Sequence, residues 1–197
     1  MILSNVEIQR ALDKKRLVID PEPLPRMPGA DGLDCPYQTS AVDLRLGNEI
    51  AYFKGKLPFN VNLARGGFAT LFGPHSNRQT LTKEQPFVLE PGRFVLGKTL
   101  ERIALPIPTG KARECLAARL EGKSSYARCG LLVHFTAPTI HAGFDGTITL
   151  ELYNLGTIDI CLTPGAPICQ LIVEVVKGVP FRNDSQFQGQ SAPGGRV

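Results

Sequence analysis

An all-β domain behind one N-terminal helix is the architecture the sequence predicts, and three observations carry it. Twenty glycines and sixteen prolines are scattered along 197 residues, a density of turns that suits many short elements and argues against a helical bundle. From Ser40 onward strand signals dominate. In "SAVDLRLGN", for example, Val42, Leu44 and Leu46 alternate with Asp43 and Arg45, which puts the apolar set on one strand face. Helical spacing marks the start: in "SNVEIQRALDKKR" Ser4 lies three residues before Glu7, a capping box, and Ile8 and Leu12 fall four apart on one face.

The remaining elements follow in order. "DPEPLPRMPGADGLDCP" is punctuated by proline and glycine and reads as an irregular loop. "LARGGFATLFGPHSNRQTLTKEQ" carries few core signals and reads as a surface excursion without assigned structure. "PFVLEPGRFVLGKTLERIALP" reads as a hairpin turning at Pro91 and Gly92, and "GTITLELYNLG" and "PICQLIVEVV" as two strong strands. The polar tail 181–197, with Pro193, Gly194 and Gly195 near its end, is expected to be mobile unless it closes over a ligand. The length suits one domain spanning 1–197, with the helix region in 1–20.

The net charge of +4, from 22 basic and 18 acidic residues with no basic run longer than "KKR", suits a small phosphorylated ligand and does not indicate a nucleic-acid polymer as partner. The five cysteines, Cys35, Cys115, Cys129, Cys161 and Cys169, form no C-x-x-C pair and read as reduced thiols packing as small hydrophobes. "MILSNVEIQ" lacks the basic region of a signal peptide, and no run approaches membrane-spanning length; a cytoplasmic protein with no membrane contact is expected.

The segment "GKSSYAR", Gly122 to Arg128, looks like the end of a nucleotide-binding P-loop, but the first glycine of that pattern would fall at Ala117. What remains is a glycine, Lys123, the Ser124 and Ser125 hydroxyls and Arg128 within seven residues. Such a cluster can hold an anion through its cations, hydroxyls and free N–H groups, or it can be a capped surface helix with solvated charges. Further on, "TITLEL" puts Ile148, Leu150 and Leu152 on one face and Thr147, Thr149, Glu151 and Tyr153 on the other. Zinc-dependent cytosine deaminases carry H-x-E and P-C-x-x-C. Here the three histidines lie in "PHSN", "VHFT" and "IHAG", none two residues before a glutamate, and no cysteine pair could complete a zinc site.

The block "GKSSYARCGLLVHFTAPTIHAGFDGTITLELYNLG", with "DLRLG" before it and "PGAPICQLI" and "FQGQ" after it, resembles the dCTP deaminase family, relatives of the trimeric dUTPases. The resemblance covers the helix and most of Ser40 to Gln190. It implies a distorted jelly-roll, or β-clip, dUTPase-like domain, assembled as a homotrimer with sites between subunits. It also implies zinc-independent hydrolytic deamination of dCTP to dUTP and ammonia, with Mg2+ accompanying the triphosphate. The alternatives are a bifunctional enzyme giving dUMP and pyrophosphate, or a nucleotide-sensing protein that binds without turnover.

On the same resemblance Lys123, Ser124 and Ser125 contact the triphosphate and Arg128 lies near the catalytic water. The Ala137 carbonyl helps hold that water, and Glu151 is the catalytic glutamate. Thr149 and Leu150 read the base through backbone groups, while Gln170, Phe181, Gln186 and Gln190 contact ligand. Two departures stand out. Lys123 keeps the charge of the family's usual arginine but not its planar fork. His141 stands where aspartate is common, and a histidine is a poorer anionic base. From His141 follows the expectation that dUTP, not dUMP, is the product, unless another carboxylate such as Asp145 acts instead.

Overall fold

The computed structural model describes residues 1–29, 35–55, 60–62, 64, 74–109, 114–181 and 189–193. Helix α1, Asn5–Asp13, starts as its capping box predicts, with Ser4 Oγ accepting from the Glu7 N–H at 3.4 Å. It buries Ile8 and Ala11 against the core.

The strands are β1 (Val18–Asp20), β2 (Tyr37–Gln38), β3 (Ala41–Arg45), β4 (Glu49–Phe53), β5 (Ser76–Thr80), β6 (Phe87–Leu89) and β7 (Phe94–Ala104). After them come β8 (Glu114–Gly122), the one-turn helix α2 (Ser124–Ala127), β9 (Leu131–Val133), β10 (Thr139–Ile140), β11 (Asp145–Asn154), β12 (Ile160–Leu162) and β13 (Pro167–Lys177).

Among the described residues they form a six-stranded sheet in the order β5-β4-β7-β11-β9, with β1 also on β7, and a five-stranded sheet in the order β10-β8-β13-β3-β2. A two-stranded piece, β12-β6, completes them. The pairings are antiparallel, so the fold is the mostly-β, jelly-roll type with an N-terminal helix.

One apolar cluster takes side chains from both sheets, including Leu116 and Leu120 of β8 and Ile148, Leu150 and Leu152 of β11. Each such side chain, fully buried, contributes about 1.5–3 kcal/mol. The sheets are also pinned by a polar contact. Glu101 on β7, with no exposed surface, accepts from the Arg45 backbone N–H at 2.9 Å and from Arg45 Nε at 2.6 Å. Because β8 belongs to one sheet and β9 to the other, the "GKSSYAR" segment is the crossover between them. That crossover packs so closely that a Cβ on Gly130, at φ +90°, would lie 2.3 Å from the Gly156 nitrogen.

Several expectations need correction. The turn at Pro91 and Gly92 exists, with Arg93 N–H bonded to the Glu90 carbonyl, but its flanking strands do not pair with each other. β6 pairs β12 while β7 pairs β11, β4 and β1, because each strand edge finds its ladder partner at long range, in different sheets. Strand β5 lies inside the surface excursion that carries no assigned structure in the sequence, hydrogen-bonded to β4. Cys115 and Cys169 are buried, whereas Cys129 and Cys161 are exposed; in β12 the burial alternation turns Cys161 outward.

The described tail residues, 189–193, are docked and not free. Gln190 and Ala192 are buried, Thr147 N–H donates to the Gln190 carbonyl at 3.1 Å, and Gly189 N–H donates to the Asp145 carbonyl at 2.8 Å. Lys98 Nζ adds a bond to the Ser191 carbonyl at 2.8 Å.

Candidate active site

The sequence-predicted residues gather in two places. The first is the end of β8. Lys123 caps α2 without a side-chain cap, and its ammonium instead meets Asp43 Oδ2. Gln170 on β13, in register with Asp43 on β3, donates from Nε2 to Asp43 Oδ1 at 2.9 Å. Asp43 is thereby drawn from the polar edge of its alternation into a nine-tenths-buried position.

A cavity of about 330 Å³, lined by Asp43, Arg45, Lys123, Pro167 and Cys35 among others, opens beside this cluster; ligand pockets run from about 300 to 1,000 Å³. Ser124 and Ser125 on α2 and Arg128 just after it lie exposed, so hydroxyls and a guanidinium face outward next to the partly buried lysine.

The second place is the polar face of β11. Thr149 and Glu151 are half-buried there, opposite Lys98 and Leu96 of β7, while Leu150 between them has no exposed side chain. Glu151 is 29% exposed, and its Oε2 lies 2.8 Å from His134 Nδ1. His134 follows β9, and its backbone N–H donates to the Glu151 carbonyl at 2.8 Å. Sequence reasoning weighed this histidine only as a zinc ligand. Its place beside Glu151 comes from the β9–β11 register, Val133 opposite Leu152, a long-range pairing that no local motif announces.

The remaining predicted residues are spread. Ala137 and His141 are exposed, and the His141 carbonyl accepts from Phe144 N–H at 3.1 Å in the turn that starts β11. Phe181 is 88% exposed. Gln190 is bonded through its backbone to the same strand that carries Glu151, and Gln186 lies outside the described residues. Among the described residues, no hydrogen bond joins the side chains of Ser124, Ser125 or Arg128 to Glu151. No group of three or more His, Cys, Asp or Glu able to hold a metal occurs among them either, and no helix among them is long and apolar enough to cross a membrane.

Asp145 stands on the same polar alternation as Glu151, six residues earlier, paired with Arg102 Nη2 at 2.6 Å. The arrangement thus offers a cation-and-hydroxyl end suited to phosphates and a carboxylate face suited to proton transfer.

Residues 2–176 match the family model described as dCTP deaminase-like. A dCTP deaminase of Haloarcula marismortui is 36% identical over 98% of this chain and 92% of its own length. A dUMP-forming dCTP deaminase of Rhodococcus opacus is 38% identical over 98% of this chain and 94% of its own. A second dUMP-forming dCTP deaminase, from Methanosphaera stadtmanae, is 34% identical over 98% and 91%. The fold matches the crystal structure of 2'-deoxycytidine 5'-triphosphate deaminase from Agrobacterium tumefaciens with a TM-score of 0.59 at 21% identity, over 87% of this chain and 47% of that one.

The dUMP-forming relatives overturn the expectation, drawn from His141, that the reaction stops at dUTP. A histidine at that position does not empty the turn of carboxylates, since Asp145 follows it closely. With the family model spanning most of its length and relatives this similar, the chain belongs to the dCTP deaminase-like family and is a hydrolase of that family.

Proposed function

We propose that the protein converts dCTP to dUMP in two hydrolytic steps, releasing ammonia and then pyrophosphate. The observation that carries the reading is the Glu151 carboxylate, partly exposed on the polar face of β11 beside a fully buried Leu150 and Leu152. In the first step Glu151 accepts a proton from water as the oxygen attacks cytosine C4. The same carboxyl delivers a proton to the ring and the departing nitrogen, the C4–N bond breaks, and ammonia leaves. Arg128, Ser124 and the Ala137 carbonyl hold that water, and backbone groups at Thr149 and Leu150 tell an exocyclic amine from a carbonyl.

In the second step water attacks the α-phosphorus and the bond to the bridging oxygen breaks with pyrophosphate leaving. Asp145 is the other carboxylate on that face of β11 and prepares that water.

Lys123, Ser124, Ser125 and Arg128 bind the triphosphate, with Gln170 beside them and the tail residues Phe181, Gln186 and Gln190 closing over the ligand. His141 bonds the sugar hydroxyl. Since the α2 cluster and the Glu151 face share no side-chain hydrogen bond within the described residues, a homotrimer that brings one subunit's α2 to another's β11 completes the site. Mg2+ would come with the nucleotide and supply positive charge to its phosphates. Both Asp43 oxygens are already engaged by Lys123 and Gln170, so Asp43 would not be its ligand, which fits an ion bound chiefly by the nucleotide and water.

The test is chromatography of nucleotides after incubating the purified protein with dCTP and Mg2+. dUMP with stoichiometric pyrophosphate is expected; dUTP as sole product refutes the second step, and unchanged dCTP refutes both.

A further inference from the structure

His134 is in an unusual state for a residue with no part in the reaction just described. Its backbone sits at φ +53°, a left-handed conformation that costs most L-residues of order 1 kcal/mol or more. Its ring is more than nine-tenths buried, and among the described residues neither Nδ1 nor Nε2 has an aligned hydrogen-bond partner. Glu151 Oε2 is likewise buried and without an aligned hydrogen bond among the described residues, although it lies 2.8 Å from Nδ1. The two groups are in reach, yet the N–H direction and the carboxylate are not aligned. Leaving such polar atoms unpaired is costly, and one Nδ1–H to Oε2 bond would satisfy both atoms together. The backbone already ties the two residues, because His134 N–H donates to the Glu151 carbonyl at 2.8 Å.

We propose that His134 is a positioning residue for Glu151. Its Nδ1–H holds Oε2, so that one carboxylate oxygen is committed to the protein and the other is turned toward the reacting water. The inference rests on the reading of Glu151 as the proton-transfer group. The left-handed backbone is the cost of aiming the ring: β9 ends at Val133, and the positive φ at the next residue swings the side chain over β11 where an extended residue would carry it onward.

Two substitutions separate the ring from the backbone. Asparagine and glycine both tolerate positive φ, but only asparagine offers an N–H near the place of Nδ1. In dCTP deamination, His134→Gly should lose about 10- to 100-fold in kcat with KM within about threefold of the wild type, as expected when a catalytic group is misplaced and not when binding is lost. His134→Asn should stay within about threefold of wild-type kcat. His134→Gln, which reaches to the place of Nε2, should behave as the glycine variant.

Equal kcat in the glycine and asparagine variants overturns the proposal, as does a rise in KM at unchanged kcat. A readout without turnover is the ring 15N chemical shift of His134 in the wild-type protein. It should move on Glu151→Gln, and an unchanged shift refutes the link even if a glycine variant does not fold. Failure of the parent reading looks different: the wild type releases no ammonia from dCTP, while the His134 shift still responds to Glu151→Gln.

Discussion

Replacing Lys123 with methionine probes the site and the fold at once. Asp43 has a side chain 10% exposed and accepts from the Lys123 ammonium and from Gln170 Nε2. Methionine keeps the aliphatic length of lysine, so packing along its stem is largely retained, but it leaves a buried carboxylate with one neutral hydrogen bond. Removing one partner of a buried ion pair costs about 3–5 kcal/mol. With 18% of the Lys123 side chain exposed, water relieves part of the penalty, and the low end, about 3 kcal/mol, applies.

For a domain of this size that lowers Tm by about 6–12 °C. Asp43→Asn combined with Lys123→Met leaves no unpaired charge and should recover at least about 1 kcal/mol of the loss, a coupling that urea unfolding of the four-protein cycle resolves. Lys123→Met should also abolish most of the stabilisation that dCTP confers on the wild type. A coupling under about 0.5 kcal/mol, the usual error of additivity, would refute the buried-pair reasoning.

Asp145→Asn should still release ammonia from dCTP but accumulate dUTP, read by chromatography; undiminished dUMP would exclude Asp145 from the second step. Thiol labelling of the folded protein should spare Cys169 and Cys115, whose thiols burial pushes up from the ordinary range, and mass spectrometry after digestion identifies the sites. The Arg26 guanidinium bonded to Glu22 holds that carboxyl below its usual range, with the Tyr37 hydroxyl assisting. A lowered folded-state pKa stabilises at pH above the unfolded value. The wild-type advantage over Glu22→Gln should therefore be full above about pH 4.3, shrink as the pH falls below it, and vanish beneath the lowered value, which denaturation at stepped pH measures.

The parts legible in the sequence were those written in local chemistry. The α1 cap is one such part, since Ser4 and Glu7 are three residues apart and need no distant partner. The alternation of β11 is another, because Ile148, Leu150 and Leu152 face the core at a strict period of two. Strand β8 was hidden by composition: "ECLAARLEG" is rich in helix formers, and pairing along the length of β13 overrides that preference.

β5, "SNRQT", lacks apolar alternation because it is an edge strand with little to bury. At the site, the motif residues Lys123 and Glu151 were visible as types at known spacings, but their partners were not. Asp43 lies 80 residues from Lys123, and Gln170 lies 127 from Asp43; register between β3, β8 and β13 brings them together, and register is a property of the folded sheet. His134 escaped for the same reason.

The most direct measurement is ammonia release from dCTP by Glu151→Gln, with dUTP hydrolysis by the same variant followed in parallel. The amide keeps the size and polarity of the side chain and loses only the proton shuttle. Ammonia release should fall by about 10²–10⁴-fold with dCTP affinity nearly unchanged, while dUTP supplied directly is still converted to dUMP. Ammonia release within about tenfold of the wild type, equivalent to roughly 1.4 kcal/mol in the barrier, would contradict the assignment of Glu151 to the deamination step.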